Sequence, residues 1–221
     1  MNQRGVALIA GLALLATLSL LALVATSAMI LQRHMSANYH ENKLALENSA
    51  IATSFALAWL FSRASHEREE SCISDCILPI AIHKPGEIPA QVEYQGSAWW
   101  LANAIEAATD PESGASTGGN PGTGAVPPLW VLEELHYEAA ENLEAGSDFD
   151  GVGYYRILSR GTGTDAGKIA VTESLVARPW GGDYQQDAFP PGPTSSDFCF
   201  QFEGVAEEDY DCGRLAWRQR R

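Results

Sequence analysis

The chain has 221 residues and a formal net charge of −14, from 28 acidic and 14 basic side chains. Between Glu69 and Cys212 there are 25 acidic and 5 basic side chains, and this region would repel the phosphates of nucleic acids. Nucleic-acid binding is therefore disfavoured for the body of the protein. An N-terminal apolar segment leaves about 150 residues, enough for one compact domain with its own core.

Residues 6–31 contain no Asp, Glu, Lys or Arg and could span a bilayer as a helix, which takes about 20 residues. A five-residue leader ending in Gly5 comes directly before them. A secretory signal peptide has a shorter apolar core and is cleaved beyond that core. The order here favours a peptidase that cuts before the helix. Arg4, the only charge before the run, predicts a cytoplasmic N-terminus and a periplasmic C-terminal domain in a single-pass inner-membrane protein.

The apolar run is expected to continue as helix. Residues 32–68 contain no Pro or Gly, and Leu44, Ile51 and Phe55 recur at helical spacing. This pattern predicts one helix from Val6 to about Ser65, roughly 90 Å long at 1.5 Å per residue, with a transmembrane half at 6–31 and a periplasmic half at 32–68. A membrane anchor followed by a separate coiled linker is the alternative.

The remaining residues, 69–221, predict a β-rich globular domain. The predicted elements, in chain order, are an irregular segment at 71–89, a short strand at 91–94, a short helix at 98–108, a flexible loop at 109–128 and strands at 129–139, 152–160 and 168–178. A hairpin loop at 161–167 joins the last two strands. We read Gly161 and Gly163 as turn residues rather than a phosphate-binding loop, because no Lys-Ser or Lys-Thr follows. Antiparallel strands packed on the second half of a long helix give an α+β fold.

The N-terminal sequence also resembles a known family. Residues 3–9, Gln-Arg-Gly-Val-Ala-Leu-Ile, are similar to the type III signal of type IV pilins and pseudopilins, and most closely to that of PilX-type minor pilins. Met35-Ser-Ala-Asn38, Leu44-Ala45 and the segments 130–135, 154–161 and 168–174 are similar to later stretches of PilX-type proteins. The resemblance implies a pilin-like fold, cleavage by prepilin peptidase after Gly5, and N-methylation of Val6.

One position departs from the major pilins. They carry a Glu at the fifth residue after the cleavage site, where this chain has Ala10. In the family that buried carboxylate is thought to pair with the N-terminus of a neighbouring subunit, which would offset the cost of a charge in hydrocarbon. PilX-type minor pilins and the K-type pseudopilins of type II secretion share its absence.

The resemblance therefore implies a minor pilin: a low-abundance structural subunit of a type IV pilus, acting in filament initiation or at the tip and displayed at the cell surface. Its expected partners are prepilin peptidase, the inner membrane, and other minor pilins and the major pilin through the N-terminal helix. A K-type minor pseudopilin of type II secretion is the first alternative. A signal-anchored periplasmic binding or enzymatic domain is the second.

Four cysteines, Cys72, Cys76, Cys199 and Cys212, lie in the predicted periplasmic domain. An even number there predicts disulfides, and four cysteines allow three pairings. The resemblance favours Cys199–Cys212, because pilins commonly close a C-terminal loop in this way, with Cys72–Cys76 as the companion bond. Zinc is the alternative, although neither spacing matches a usual zinc knuckle.

Few residues suggest a cofactor or catalysis. Asp148 and Asp150, followed by Gly151, are similar to the start of a calcium-binding loop, and the alternative is a solvated turn. We otherwise expect no cofactor. No nucleophile elbow, paired zinc-binding histidines or Walker motif occurs in the sequence. The adjacent Glu133 and Glu134 would point to opposite faces of a strand and could not act on one substrate, so we expect the protein not to be an enzyme.

Overall fold

The computed structural model describes residues 3–64, 68, 81–119, 122–139, 150–181 and 212–220. The chain divides into two compact units, Met1–Glu41 and Asn42–Arg221. The fold is α+β, as predicted: a long N-terminal helix packs, through its second part, against a mostly antiparallel sheet.

The N-terminal helix, α1, spans Gln3–Ser62 without interruption. The prediction of a single long helix is confirmed, and the helix ends three residues before the expected Ser65. At its end the amide of Arg63 donates to the Leu60 carbonyl oxygen at 3.4 Å, and the buried guanidinium of Arg178 donates to the carbonyl oxygens of Leu60 and Arg63. The last carbonyls of a helix have no intrahelical partner, so these bonds stabilise the termination here.

The sheet has six strands in the described residues, with the order β1-β3-β4-β5-β6 and β2 also paired to β3. The strands are β1 (Ile82–His83), β2 (Ile105–Glu106), β3 (Leu129–Ala139), β4 (Gly151–Thr162), β5 (Ile169–Trp180) and β6 (Gly213–Arg220). The β1–β3 pair is parallel and all the others are antiparallel. The three predicted strands are confirmed as β3, β4 and β5.

The sequence prediction failed in the segment before β3. Residues Val92–Tyr94 form a short 3-10 helix rather than a strand, and the helix α2 covers only Ser97–Asn103. The segment forms a 3-10 helix rather than a strand because the Val92 side chain packs into a core cluster, which keeps this short segment away from the sheet. The α2 helix is shorter than predicted because Ile105 and Glu106 pair with β3 as strand β2.

Both faces of the sheet are buried at the first six residues of β3. On one face Trp130 and Leu132 pack with the second part of α1, which contributes Trp59. On the other face Leu129 and Val131 pack with buried residues of the preceding segment, namely Ile88, Val92 and Trp100. Strands buried on both faces read as nearly continuous apolar runs, which explains why β3 alternates only loosely in the sequence.

Gly161 lies where α1 approaches the sheet most closely. It is part of β4, not of a turn, so this part of the turn prediction was wrong. A methyl group at Gly161 would lie 2.8 Å from the carbonyl carbon of Asn48, and closer still to the Ala45 oxygen and the Ser49 nitrogen. Only a residue without a Cβ allows the two backbones to approach this closely.

The described parts of the predicted loop 109–128 contact the helix and β4. The Asn48 side chain donates to the Thr162 carbonyl oxygen at 2.7 Å and accepts from the Thr123 amide at 3.2 Å. The Ala125 amide donates to the Gly163 carbonyl oxygen at 2.7 Å. Asn48 therefore links α1 to both this loop and β4.

Candidate functional site

The first part of α1 exposes large apolar side chains on all sides. Leucines 12, 14, 15, 18, 20, 21 and 23 are between 54% and 72% exposed, and at 100° per residue they are distributed around the whole helix. A helix that is apolar all round needs apolar surroundings. The segment is long and apolar enough to cross a membrane, with a mean hydropathy of 2.3, which is consistent with a single membrane anchor or a signal sequence.

The polar side chains in this segment bond within the helix. The hydroxyls of Thr17, Ser19 and Ser27 donate to carbonyl oxygens three or four residues earlier, at 2.8–2.9 Å, and Thr26 donates to the Ala22 carbonyl oxygen. Polar groups in hydrocarbon must be satisfied without water. These four hydroxyls are satisfied inside the helix, so they add little cost to burial in lipid.

The predicted processing site lies at the start of α1. The helix begins at Gln3, so the backbone between Gly5 and Val6 is helical. Glycine weakens a helix by about 1 kcal/mol relative to alanine, which makes Gly5 a position where a peptidase could unwind the chain. Ala10 is exposed, and Glu41 is the first acidic residue of the chain.

Cys212 is disulfide-bonded and packs, partly buried, against the core cluster that contains Trp59 and Trp180. Its partner is a cysteine outside the described residues, where Cys72, Cys76 and Cys199 all lie. The pairing Cys199–Cys212 therefore stays a prediction.

We expect non-reducing peptide mapping to find Cys199 joined to Cys212 in protein exported to the periplasm. The bond would close a loop of 12 residues, 200–211, five of them acidic and mutually repelling. Replacing both cysteines by serine should lower the free energy of unfolding by about 2–4 kcal/mol, chiefly because the unfolded chain gains freedom. A bond from Cys212 to Cys72 or Cys76 would contradict the pairing.

The candidate calcium site is described only at Asp150, because Asp148 lies outside the described residues. Asp150 comes directly before β4, and its amide donates to the Trp180 carbonyl oxygen at 2.8 Å. Within the described ranges, no group of three or more His, Cys, Asp or Glu side chains could hold a metal ion. Calcium binding stays a prediction.

Glu134 belongs to a buried polar network that links the chain after α1 to the sheet. Arg68 donates to both oxygens of the Glu134 carboxylate, at 2.9 and 3.0 Å, and lies over the ring of Tyr137. The Tyr155 hydroxyl donates to the same carboxylate at 3.0 Å and accepts from Trp180 Nε1 at 2.7 Å. Burial, with the nearby Glu134 carboxylate, raises the pKa of Tyr155 well above its usual value, so its hydroxyl remains a donor.

Arg178 is a second buried anchor. Its guanidinium is fully buried, stacks on Trp180 at 3.7 Å from the ring centroid, and binds the end of α1 as described above. A cation at the C-terminus of a helix also interacts favourably with the helix dipole. Arg68 and Arg178 together fix the end of α1 and the chain beyond it to strands β3, β4 and β5.

The opposite face of the sheet carries another set of ion pairs. Glu133 pairs with Arg156 at 2.5 Å and accepts from the Gly86 amide at 2.7 Å. Glu173 of β5 pairs with Arg218 and Arg220 of β6, each at 2.9 Å. Glu133 and Glu134 thus point to opposite faces, as predicted.

Sequence reasoning did not identify these networks. Charged residues inside apolar strands could have indicated these networks, because a buried charge requires a partner. These ion pairs join the chain after α1 to β3, the strands β3 and β4 to each other, and β5 to β6. Comparison of the chain with protein-family models, curated proteins and solved structures finds no match.

Proposed function

We propose that the protein is a minor pilin of the PilX type, a low-abundance structural subunit of a type IV pilus. One observation supports this most strongly. A single unbroken helix exposes leucines on every side in its first part and forms the core of a folded domain in its second part. A subunit that leaves a membrane to join a filament needs this combination, because its apolar surface must exchange lipid for the helices of neighbours.

The buried contacts of Arg178 and Arg68 support a subunit that withstands mechanical force. A force on α1 would reach the domain through Arg178, which binds the helix end, and through the Arg68–Glu134 pair beyond it. Small side chains at Ala45, Ser49 and Ala52 are buried where the helix packs on the sheet. Close packing and buried bonds resist shear better than a flexible linker would.

The departure at Ala10 supports a minor rather than a major subunit. No acidic side chain precedes Glu41, so the apolar segment cannot supply a carboxylate to a neighbouring N-terminus. The proposed position is at the start or tip of the filament, where one end of the subunit meets no neighbour.

Processing tests the proposal. We expect prepilin peptidase to remove residues 1–5, so that intact mass of the membrane form corresponds to an N-methylated chain starting at Val6. Replacing Gly5 by leucine should leave the precursor uncleaved, because a bulky side chain stabilises the helix and blocks access to the bond. Gly11→Leu is the matched control, since nothing lies within 4 Å of a Cβ at that helical glycine, and it should be processed normally.

The alternatives give different results in the same experiment. An N-terminus near Ala28 or Ala37 would show ordinary signal-peptide cleavage, and an uncleaved wild-type chain would show a simple membrane anchor. Either result would overturn the minor-pilin proposal. Normal processing combined with loss of protein secretion rather than pili on deletion would favour the K-type pseudopilin.

A further inference from the structure

The apolar surface of α1 ends at Leu31, and polar side chains follow within two residues. Residues 10–31 are exposed and carry no charged side chain. At 1.5 Å per residue they cover about 33 Å, and the hydrocarbon of a bilayer is about 30 Å thick. When this segment fills the hydrocarbon, Arg33, the first charged residue after it, therefore lies at the level of the phospholipid headgroups.

Several exposed side chains with hydrogen-bond donors follow the apolar segment in the first compact unit of the chain. We call them the polar collar, and they are Arg33, His34, Asn38, Tyr39 and His40. At 100° per residue they are distributed around the whole helix and leave no gap wider than about 100°. A groove in a protein partner contacts one face of a helix, whereas lipid headgroups surround a helix that crosses the membrane. The collar therefore fits a membrane surface.

The chemistry of the collar fits the anionic part of that surface. No acidic side chain precedes Glu41, so the collar contains no carboxylate that would repel an anion. A guanidinium such as that of Arg33 binds a phosphate group through two parallel N–H bonds. Imidazole, amide and phenol groups add further N–H and O–H donors. These donors match the phosphate oxygens of phospholipids.

The direction of the side chains brings the collar closer to the bilayer. From Arg33 to His40 the collar covers about 10 Å along the helix axis, and the headgroup layer on one side of a bilayer is about 5–8 Å thick. Long side chains on a helix point toward its N-terminus, which here is toward the apolar segment. Tyr39, which is 73% exposed, therefore reaches back toward the interface, where tyrosine is enriched in membrane proteins.

We propose that the polar collar binds the phosphate groups of membrane phospholipids and thereby fixes the depth of α1 in the bilayer. Arg33 supplies the charged contact, and the other four side chains donate hydrogen bonds around the helix. This inference rests on insertion of α1 in a membrane, which the proposed function also requires. It goes beyond the proposed function because it requires neither cleavage at Gly5 nor a pilus.

The test uses the full chain in a nonionic detergent without phosphate and measures lipid binding by native mass spectrometry. The lipids are dioleoylphosphatidylglycerol, dioleoylphosphatidylcholine and dioleoylglycerol, which have the same acyl chains, but the last has no phosphate. We expect both phospholipids to bind at least tenfold more tightly than dioleoylglycerol. Equal binding of all three lipids, or binding of phosphatidylcholine no tighter than that of dioleoylglycerol, would overturn the proposal.

Variants locate the binding to the collar. The combined substitution Arg33→Ala, His34→Ala and His40→Ala should reduce the preference for phospholipid over dioleoylglycerol at least fivefold, and alanine preserves the helix. Lys43→Ala is the matched control, because it removes an exposed basic side chain of the same helix about 15 Å beyond Arg33, and it should bind as the wild type does. An unchanged preference in the triple variant, or an equal loss in Lys43→Ala, would show that the collar is not the binding site. Cleavage at Gly5 is measured separately, so either result with normal processing rejects the collar and leaves the minor-pilin proposal standing.

Discussion

Replacement of Glu134 by leucine is expected to lower the free energy of unfolding by about 3–5 kcal/mol, one of the largest effects of any single substitution in the domain. The carboxylate is 5% exposed and receives two bonds from Arg68 and one from Tyr155. Removing it leaves the positive charge of Arg68 in a buried site without this counter-ion. The midpoint of chemical denaturation, followed by the near-ultraviolet signal of the buried tryptophans, measures the loss.

A double-mutant cycle separates the ion pair from simple packing. Arg68→Met combined with Glu134→Leu removes both charges, and we expect this variant to recover most of the stability lost in Glu134→Leu. Glu138→Leu, on the same strand but only partly buried, is the matched control and should change stability by about 0.5 kcal/mol or less. If Glu134→Leu behaves like Glu138→Leu, the network does not anchor the chain after α1.

The elements that were predicted correctly are those specified by local pattern. Helix α1 follows from a long stretch without Pro or Gly, and strands β3, β4 and β5 follow from runs of β-branched and aromatic residues. The apolar surface of α1 could also be predicted from the sequence, because an apolar run long enough to span a membrane is recognised without knowledge of tertiary contacts.

The elements that were missed depend on partners distant in the sequence. The arginine-rich segment of β6 reads as a charged tail, and it becomes a strand because Glu173, 45 residues before Arg218, neutralises two of its arginines. The end of α1 depends on Arg178, 118 residues after Leu60. The two-residue strands β1 and β2 form only because β3 offers edges to pair with.

The buried networks escaped prediction for the same reason. Arg68 and Glu134 are 66 residues apart, and nothing in the sequence distinguishes either of them from the other charged residues. Burial alone distinguishes them, and burial is known only once the sheet is assembled. Apolar surface can thus be predicted from the sequence, whereas the ionic anchors behind it cannot.

The absence of a carboxylate at Ala10 leads to the second large expected effect, which rests on the proposed function. In a filament of identical helices, each buried carboxylate would pair with the terminal amine of an adjoining subunit, and breaking such a pair costs about 3–5 kcal/mol. At about 1.4 kcal/mol per factor of ten, that disfavours insertion into the shaft by roughly two to four orders of magnitude. One such defect is tolerable at the end of a filament, but not at every repeat.

The wild-type chain should therefore form no filaments when it is the only prepilin expressed, and it should be scarce relative to the major pilin in sheared fibres. Ala10→Glu restores the carboxylate and should raise its abundance in the shaft by at least tenfold. Ala10→Gln is the matched control, because it has nearly the same size without the charge, and it should remain as scarce as the wild type. Quantitative mass spectrometry of purified fibres measures all three proteins. Wild-type filaments made of this chain alone, or equal enrichment of the Glu and Gln variants, would show that the missing charge does not keep the subunit out of the shaft.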